Sequence, residues 1–160
     1  MSETPTVRLT AGSIKDKVGA GTSRPPHDVQ LPVIGLGTAG LLGESGYELV
    51  AATGVVPAVN QVPWSPRRHD PETLAASRER DVVVMGYGPL RRTDLADPTL
   101  ATVAEVHGVS PAQVVLRWHL HHDVLVIPRS ADPDRRRANL DALTFELTPE
   151  EIAAIDALTQ

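Results

Sequence analysis

Short apolar runs alternate along this chain with longer stretches in which apolar residues recur at helical spacing. The runs are Leu31 to Thr38 (LPVIGLGT), Val55 to Val62 (VVPAVNQV), Asp81 to Tyr87 (DVVVMGY) and Val124 to Pro128 (VLVIP). Near-continuous hydrophobicity is the pattern of strands buried on both faces, as in parallel sheets. Between and after them, ELVAAT closed by Gly54, Glu72 to Arg80, Pro98 to His107 closed by Gly108, SPAQVVLRWHLHH, Asp134 to Leu143 and ELTPEEIAAIDAL predict helices. Ser110 stands before Pro111 as a cap stands before the first helical position. Thr148, Pro149 and Glu151 spell a capping box, in which hydroxyl and carboxylate each satisfy an orphaned amide. Strands joined through helices pair in parallel, so the expected class is α/β.

The stretch GSIKDKVGAGTSRPPHD breaks this rhythm with glycine, proline, serine and charge, and residues 8–30 are expected to form a flexible insertion in a single domain spanning 1–160. Four strands and no internal repeat fall short of a closed (β/α)8 barrel, which takes eight strands in roughly 250 residues. The expectation is therefore a partial (β/α)8 (TIM) barrel.

Composition narrows the function classes. No run approaches the roughly 18 apolar residues of a membrane span, and MSETPTVRLT lacks the basic and apolar regions of a signal peptide, which points to the cytoplasm. With no cysteine, thiolate catalysis, disulfides and cysteine metal sites are excluded, so redox chemistry requires a bound cofactor. A net charge of −5 and only 3% aromatic residues argue against nucleic-acid binding, leaving any anion site local. Of the 15 cationic residues 13 are arginine, and Lys15 and Lys17 are the only lysines. His119, His121 and His122 crowd one helix end, but an i, i+2 pair does not share a helix face, and no metal site is expected there.

In order along the chain, LPVIGLGT, ELVAATGVVPAVNQV, DVVVMGYGPL, LATVAEVHGVSPAQVVLRWHL, VLVIPRSADPDRRRANLDAL and FELTPEEIAAID resemble segments of the aldo/keto reductase family. They are similar to its first strand, its fifth helix and sixth strand, its seventh strand and helix, and its eighth strand and last helices. About four parallel strands, equivalent to family strands 1, 6, 7 and 8, are thus implied. The match is continuous from about residue 48 to the end.

Between GLGTAG and YELVAATG the family carries its second to fifth strands with their helices, whereas this chain has only LLGESG. The segments bearing the family's Asp, Tyr, Lys and His tetrad are absent from that interval. No catalytic residue is assigned. Tyr47 falls in the fifth-helix context, and Lys15 and Lys17 do not sit at a strand end.

The resemblance implies NADP(H) as cofactor. Gln61 would hydrogen-bond the nicotinamide carboxamide, Tyr87 would lie flat on the nicotinamide ring, Gly88 and Leu90 would approach the pyrophosphate, and Thr38 would touch the ribose side. Arg129, Ser130, Arg135 and Asn139 match the clamp on the adenosine 2′-phosphate and adenine. Arg129 replaces a frequent lysine, keeping the charge and adding a bidentate fork. From the residues alone, a strand ending at Arg129 and Ser130 before a helix start at Asp134 places a cation and helix amides near one point, which suits an anion. Arg136 and Arg137 read as a solvated face. Asn60 and Gln61 can equally serve buried backbone groups. Pro63 and Ser65 stand where family members usually carry an acid and a histidine.

Three functions remain open on this basis. The first is an NADP(H)-binding protein that resembles a carbonyl reductase but is catalytically impaired. The second is a slow reductase of a small carbonyl substrate, and the third a non-enzymatic half-barrel remnant or interaction module. Exposed sheet edges invite pairing, so a homodimer is expected.

Overall fold

The computed structural model describes residues 6–9, 29–32 and 56–159, which belong to two compact units. In the first unit β1 (Thr6–Leu9) pairs antiparallel with β2 (Val29–Pro32). The register sets Val7 opposite Leu31 and Leu9 opposite Val29, matching apolar residues across the ladder. Both ends of the 8–30 span are paired strand, and Leu31 and Pro32 close an antiparallel strand instead of opening a parallel one. The residues between, and 33–55, lie outside the described ones.

The second unit carries a parallel sheet in the order β3 (Val59–Pro63), β4 (Val83–Tyr87), β5 (Leu125–Val126). Gln61 lies opposite Met85, Pro63 opposite Tyr87, and Gly86 opposite Val126. Five helices accompany it: α1 (Pro71–Glu79), α2 (Pro98–His107), α3 (Pro111–His121), α4 (Pro133–Asp141) and α5 (Pro149–Asp156). Strand order follows the apolar runs, since each crossover returns the chain to the next parallel position. The last strand is shorter than its apolar run because Pro128 has no amide to continue a ladder.

Helix ends form where the sequence supplies partners. Asp97 caps α2, accepting from the Thr99 amide at 2.9 Å, and Gly108 ends it with φ 63°, a left-handed conformation that suits glycine. Ser110 and Gln113 form a capping box on α3, and Thr148 and Glu151 form another on α5. Glu151 also meets His107 Nε2 at 2.9 Å, joining the start of α5 to the end of α2.

Leu100 and Val103 of α2, Val114 and Trp118 of α3, and Ile152 and Ile155 of α5 pack against Trp64, Val84 and Val124 around the sheet. Each such side chain contributes about 1.5–3 kcal/mol by leaving water. Among the described residues no helix is long and apolar enough to cross a membrane.

Candidate functional site

Because β4 and β5 are parallel neighbours, their C-terminal ends lie side by side and the segments that follow face each other. Gly88, Pro89, Leu90 and Arg91 after β4, and Ile127, Pro128 and Arg129 after β5, enclose a cavity of about 400 Å³. Open α/β sheets place ligand crevices at such strand ends. The β4 side is a tight turn. Arg92 N donates to Gly88 O at 3.4 Å, and Thr93 Oγ1 donates to Pro89 O at 2.7 Å. Gly88 has φ 65°, which a side chain would strain. Buried Pro89 and half-buried Leu90 hold the turn, and Leu90 packs on the core.

Two guanidinium groups therefore border one cavity from separate loops, Arg91 and Arg129, both exposed. Such a pair suits a phosphate or pyrophosphate. Arg91 was not singled out from the sequence. The signal for it was its place in GPLRR directly after a strand, but only the β4–β5 pairing sets it opposite Arg129.

Tyr87 ends β4 with 38% of its surface exposed, and the Arg92 Cζ lies 5.7 Å from its ring centroid. Strand alternation puts Gln61, Met85 and Tyr87 on one face of the sheet. The exposed Gln61 carboxamide donates to Met85 Sδ at 3.7 Å, so its polar end lies on that face.

Gly88, Leu90 and Arg129 thus share one cavity beside Tyr87, while Ser130, Arg135 and Asn139 are not among its lining residues. Ser130 Oγ accepts from Asp132 N at 3.2 Å. Asn139 sits half-buried near the end of α4. Thr38 and Tyr47 lie outside the described residues. The helix start expected at Asp134 is displaced. Asp132 is the cap, accepting from the amides of Asp134 at 2.8 Å and Arg135 at 3.2 Å. The reason is Pro133, which takes the first helical position and leaves the preceding acid as cap. That carboxylate already holds the amides an external anion would need, and it draws Arg135 Nε to 3.9 Å of its other oxygen. Arg136 and Arg137 are exposed, as a solvated face predicts.

The histidines at the end of α3 have partners of their own. His119 is fully buried, with Nδ1 2.7 Å from Val115 O and Nε2 3.0 Å from Trp64 O. A neutral ring donates to only one of the two carbonyls. Burial still prevails and pushes the imidazole below its ordinary value, against the pull of both carbonyls. Burial also lowers His121, helped by the charge of His122. His122 Nε2 meets Asp156 Oδ1 at 2.9 Å, and Trp118 Nε1 donates to the same oxygen at 2.7 Å. Asp97 accepts from Arg67 Nη2 at 2.9 Å. Burial pushes Asp97 up, but Arg67 and the Thr99 amide outweigh it and hold the carboxyl below the usual range.

The family model described as "Aldo/keto reductase family" matches residues 42–160. Morphine 6-dehydrogenase of Pseudomonas putida is 37% identical over 137 residues, covering 77% of this chain and 46% of that protein. The 2,5-diketo-D-gluconic acid reductase B of a Corynebacterium is 42% identical over 112 residues, covering 69% of this chain and 40% of that protein. A solved mutant of Gox0644 in complex with NADPH superposes with a TM-score of 0.71 at 33% identity, over 74% of this chain and 44% of that one. The chain therefore spans less than half the length of these proteins.

Proposed function

The chain belongs to the aldo/keto reductase family, and from that premise we propose that it binds NADP(H) in the crevice beyond β4 and β5. Its α/β unit with a parallel sheet is part of a (β/α)8 barrel, as its solved neighbours are. The observation that carries the proposal is the meeting of Gly88, Leu90 and Arg129 around one cavity beside the exposed ring of Tyr87. The cofactor fits what is there. The cavity, about 400 Å³, falls within the roughly 300–1,000 Å³ of ordinary ligand sites, and its polar lining is cationic. The neighbour solved with NADPH supports the same cofactor.

In this reading Gly88 and Leu90 face the pyrophosphate, with Arg91 as its cation. Tyr87 stacks on the nicotinamide and Gln61 holds its carboxamide. Arg129 with Ser130, Arg135 and Asn139 receives the adenosine end, and Thr38 the ribose side. When bound, NADPH supplies the hydride for reduction of a small carbonyl substrate. We further infer that turnover is impaired, because only LLGESG stands where the family carries its tetrad segments. Loss of a general acid alone lowers a rate by about 10²- to 10⁴-fold. A cytoplasmic homodimer completes the proposal, supported by the absence of cysteine and by a sheet that, among the described residues, ends at β3 and β5.

The test is calorimetric titration of the full chain with NADPH and NADH. Saturable binding that favours NADPH and weakens in the Arg129→Ala, Arg135→Ala variant is expected. A folded chain that binds neither nucleotide would favour the non-enzymatic half-barrel remnant instead.

A further inference from the structure

We propose that Arg92 backs the Tyr87 ring with a fixed positive charge, so that the site favours the uncharged reduced nicotinamide over the nicotinamide cation. This rests on the reading of Tyr87 as the platform for the nicotinamide.

Arg91 and Arg92 are chain neighbours with different surroundings. Arg91 lines the cavity opposite Arg129, whereas Arg92 does not line it and holds its Cζ 5.7 Å from the centre of the Tyr87 ring. The turn explains the divergence. Gly88 at φ 65°, with the Arg92 amide donating to the Gly88 carbonyl, folds residue 92 back toward residue 87. Beyond its chain neighbours, a Cβ built on Gly88 would find Arg92 Nε at 3.9 Å and no other atom within 4 Å. The stem of Arg92 thus runs along the turn to the ring, and among the described residues its guanidinium has no carboxylate partner.

An aromatic face attracts cations through its quadrupole, and a guanidinium against the ring draws on that electron density. A second cation brought to the same ring meets a weakened face and like-charge repulsion. The oxidised nicotinamide is such a cation and the reduced ring is neutral. The phosphates are the same in both forms, so the pull of Arg91 and Arg129 cancels when the two are compared. What remains is a preference set by Arg92, which assists entry of NADPH and exit of NADP⁺. Cation–π contacts at exposed sites correspond to about two- to five-fold in affinity.

The experiment measures dissociation constants of the full chain for NADPH, NADP⁺ and 2′,5′-ADP, which carries the 2′-phosphate but no nicotinamide. In Arg92→Gln the NADP⁺ to NADPH ratio is expected to fall about two- to five-fold, with 2′,5′-ADP unchanged. Arg91→Gln is expected to weaken NADPH and NADP⁺ alike and leave their ratio fixed. In a Tyr87→Leu background the effect of Arg92→Gln on the ratio disappears. A ratio that ignores Arg92→Gln, or affinities for all three ligands that fall together, overturns the inference and leaves the cofactor reading standing. Wild-type protein that binds none of the three overturns both. Arg92 is exposed, so its replacement does not disturb the core.

Discussion

Gly86 shows most directly how single residues set the shape of the site. A Cβ there would stand 3.0 Å from Trp64 Cβ, 3.2 Å from His119 Cδ2 and 3.3 Å from Val124 Cγ1, between the core and the strand that delivers Tyr87. Gly86→Ala is expected to cost about 1–3 kcal/mol by overpacking, read as a lower urea midpoint, and unchanged stability would contradict the packing. His119, on the other side of that gap, predicts a pH dependence. Its folded pKa lies below the ordinary 6.5, so the unfolded chain takes up the proton first. The stability it contributes is complete above 6.5 and is lost as pH falls through the folded value. His121 is lowered too and adds to the same slope. Urea midpoints are expected to drop between about pH 7.5 and about pH 5.5, and to drop less in His119→Gln; an identical slope in the variant would remove His119 from the account. Neither role was legible in the sequence. The Trp64 carbonyl that His119 meets is 55 positions away, and helical spacing alone assigned that histidine to a helix end. Gln61, Tyr87, Gly88, Leu90 and Arg129 were proposed because they stand in strand ends and turns that match a family pattern, and Gly88, Leu90 and Arg129 line one cavity.

Elements were read best where a start signal is local chemistry. The cap at Ser110, the capping box at Thr148 and the glycine stop at Gly108 all formed where the sequence put them, because each motif satisfies amides or carbonyls within a few residues. Within ADPD the helix starts at Pro133, one residue before the expected Asp134, and the acid that precedes the proline, Asp132, is its cap. The β1–β2 pairing was hidden for the opposite reason. Each strand is four residues long, and its partner lies beyond a glycine-rich stretch with no periodicity. Asp97 provides the test at this scale. It caps α2 through Thr99 N and binds Arg67 while only 7% exposed, so it serves helix and loop together. Asp97→Ala is expected to cost about 1–2 kcal/mol, in the range of lost caps. Asp97→Asn keeps an acceptor for the amide and is expected to recover part of that loss. Equal stability of Asn and Ala variants would show that the Arg67 pair, not the cap, is what Asp97 supplies.

For the molecule as a whole, the parallel sheet raises the question of its edges. Among the described residues β3 has β4 on one side only, and β5 pairs through two residues. Strand edges carry unpaired amides and carbonyls in a row, and proteins cover, charge or pair them. The β3 edge offers no charge, since Val59–Pro63 reads VNQVP, although Pro63 blunts its end. A second copy is an economical partner, because one contact about a two-fold axis covers the same edge of both copies. Such exposed edges are why a homodimer was expected from the sequence. Sedimentation of the full chain over a wide concentration range is therefore expected to show a monomer–dimer equilibrium. If edge pairing drives it, the dimer persists at high salt, because backbone hydrogen bonds and apolar contacts are screened far less than surface charge. A monomeric mass at every concentration would contradict the dimer, and a dimer that dissolves in salt would assign the contact to charged surfaces such as the arginine-rich face of α4.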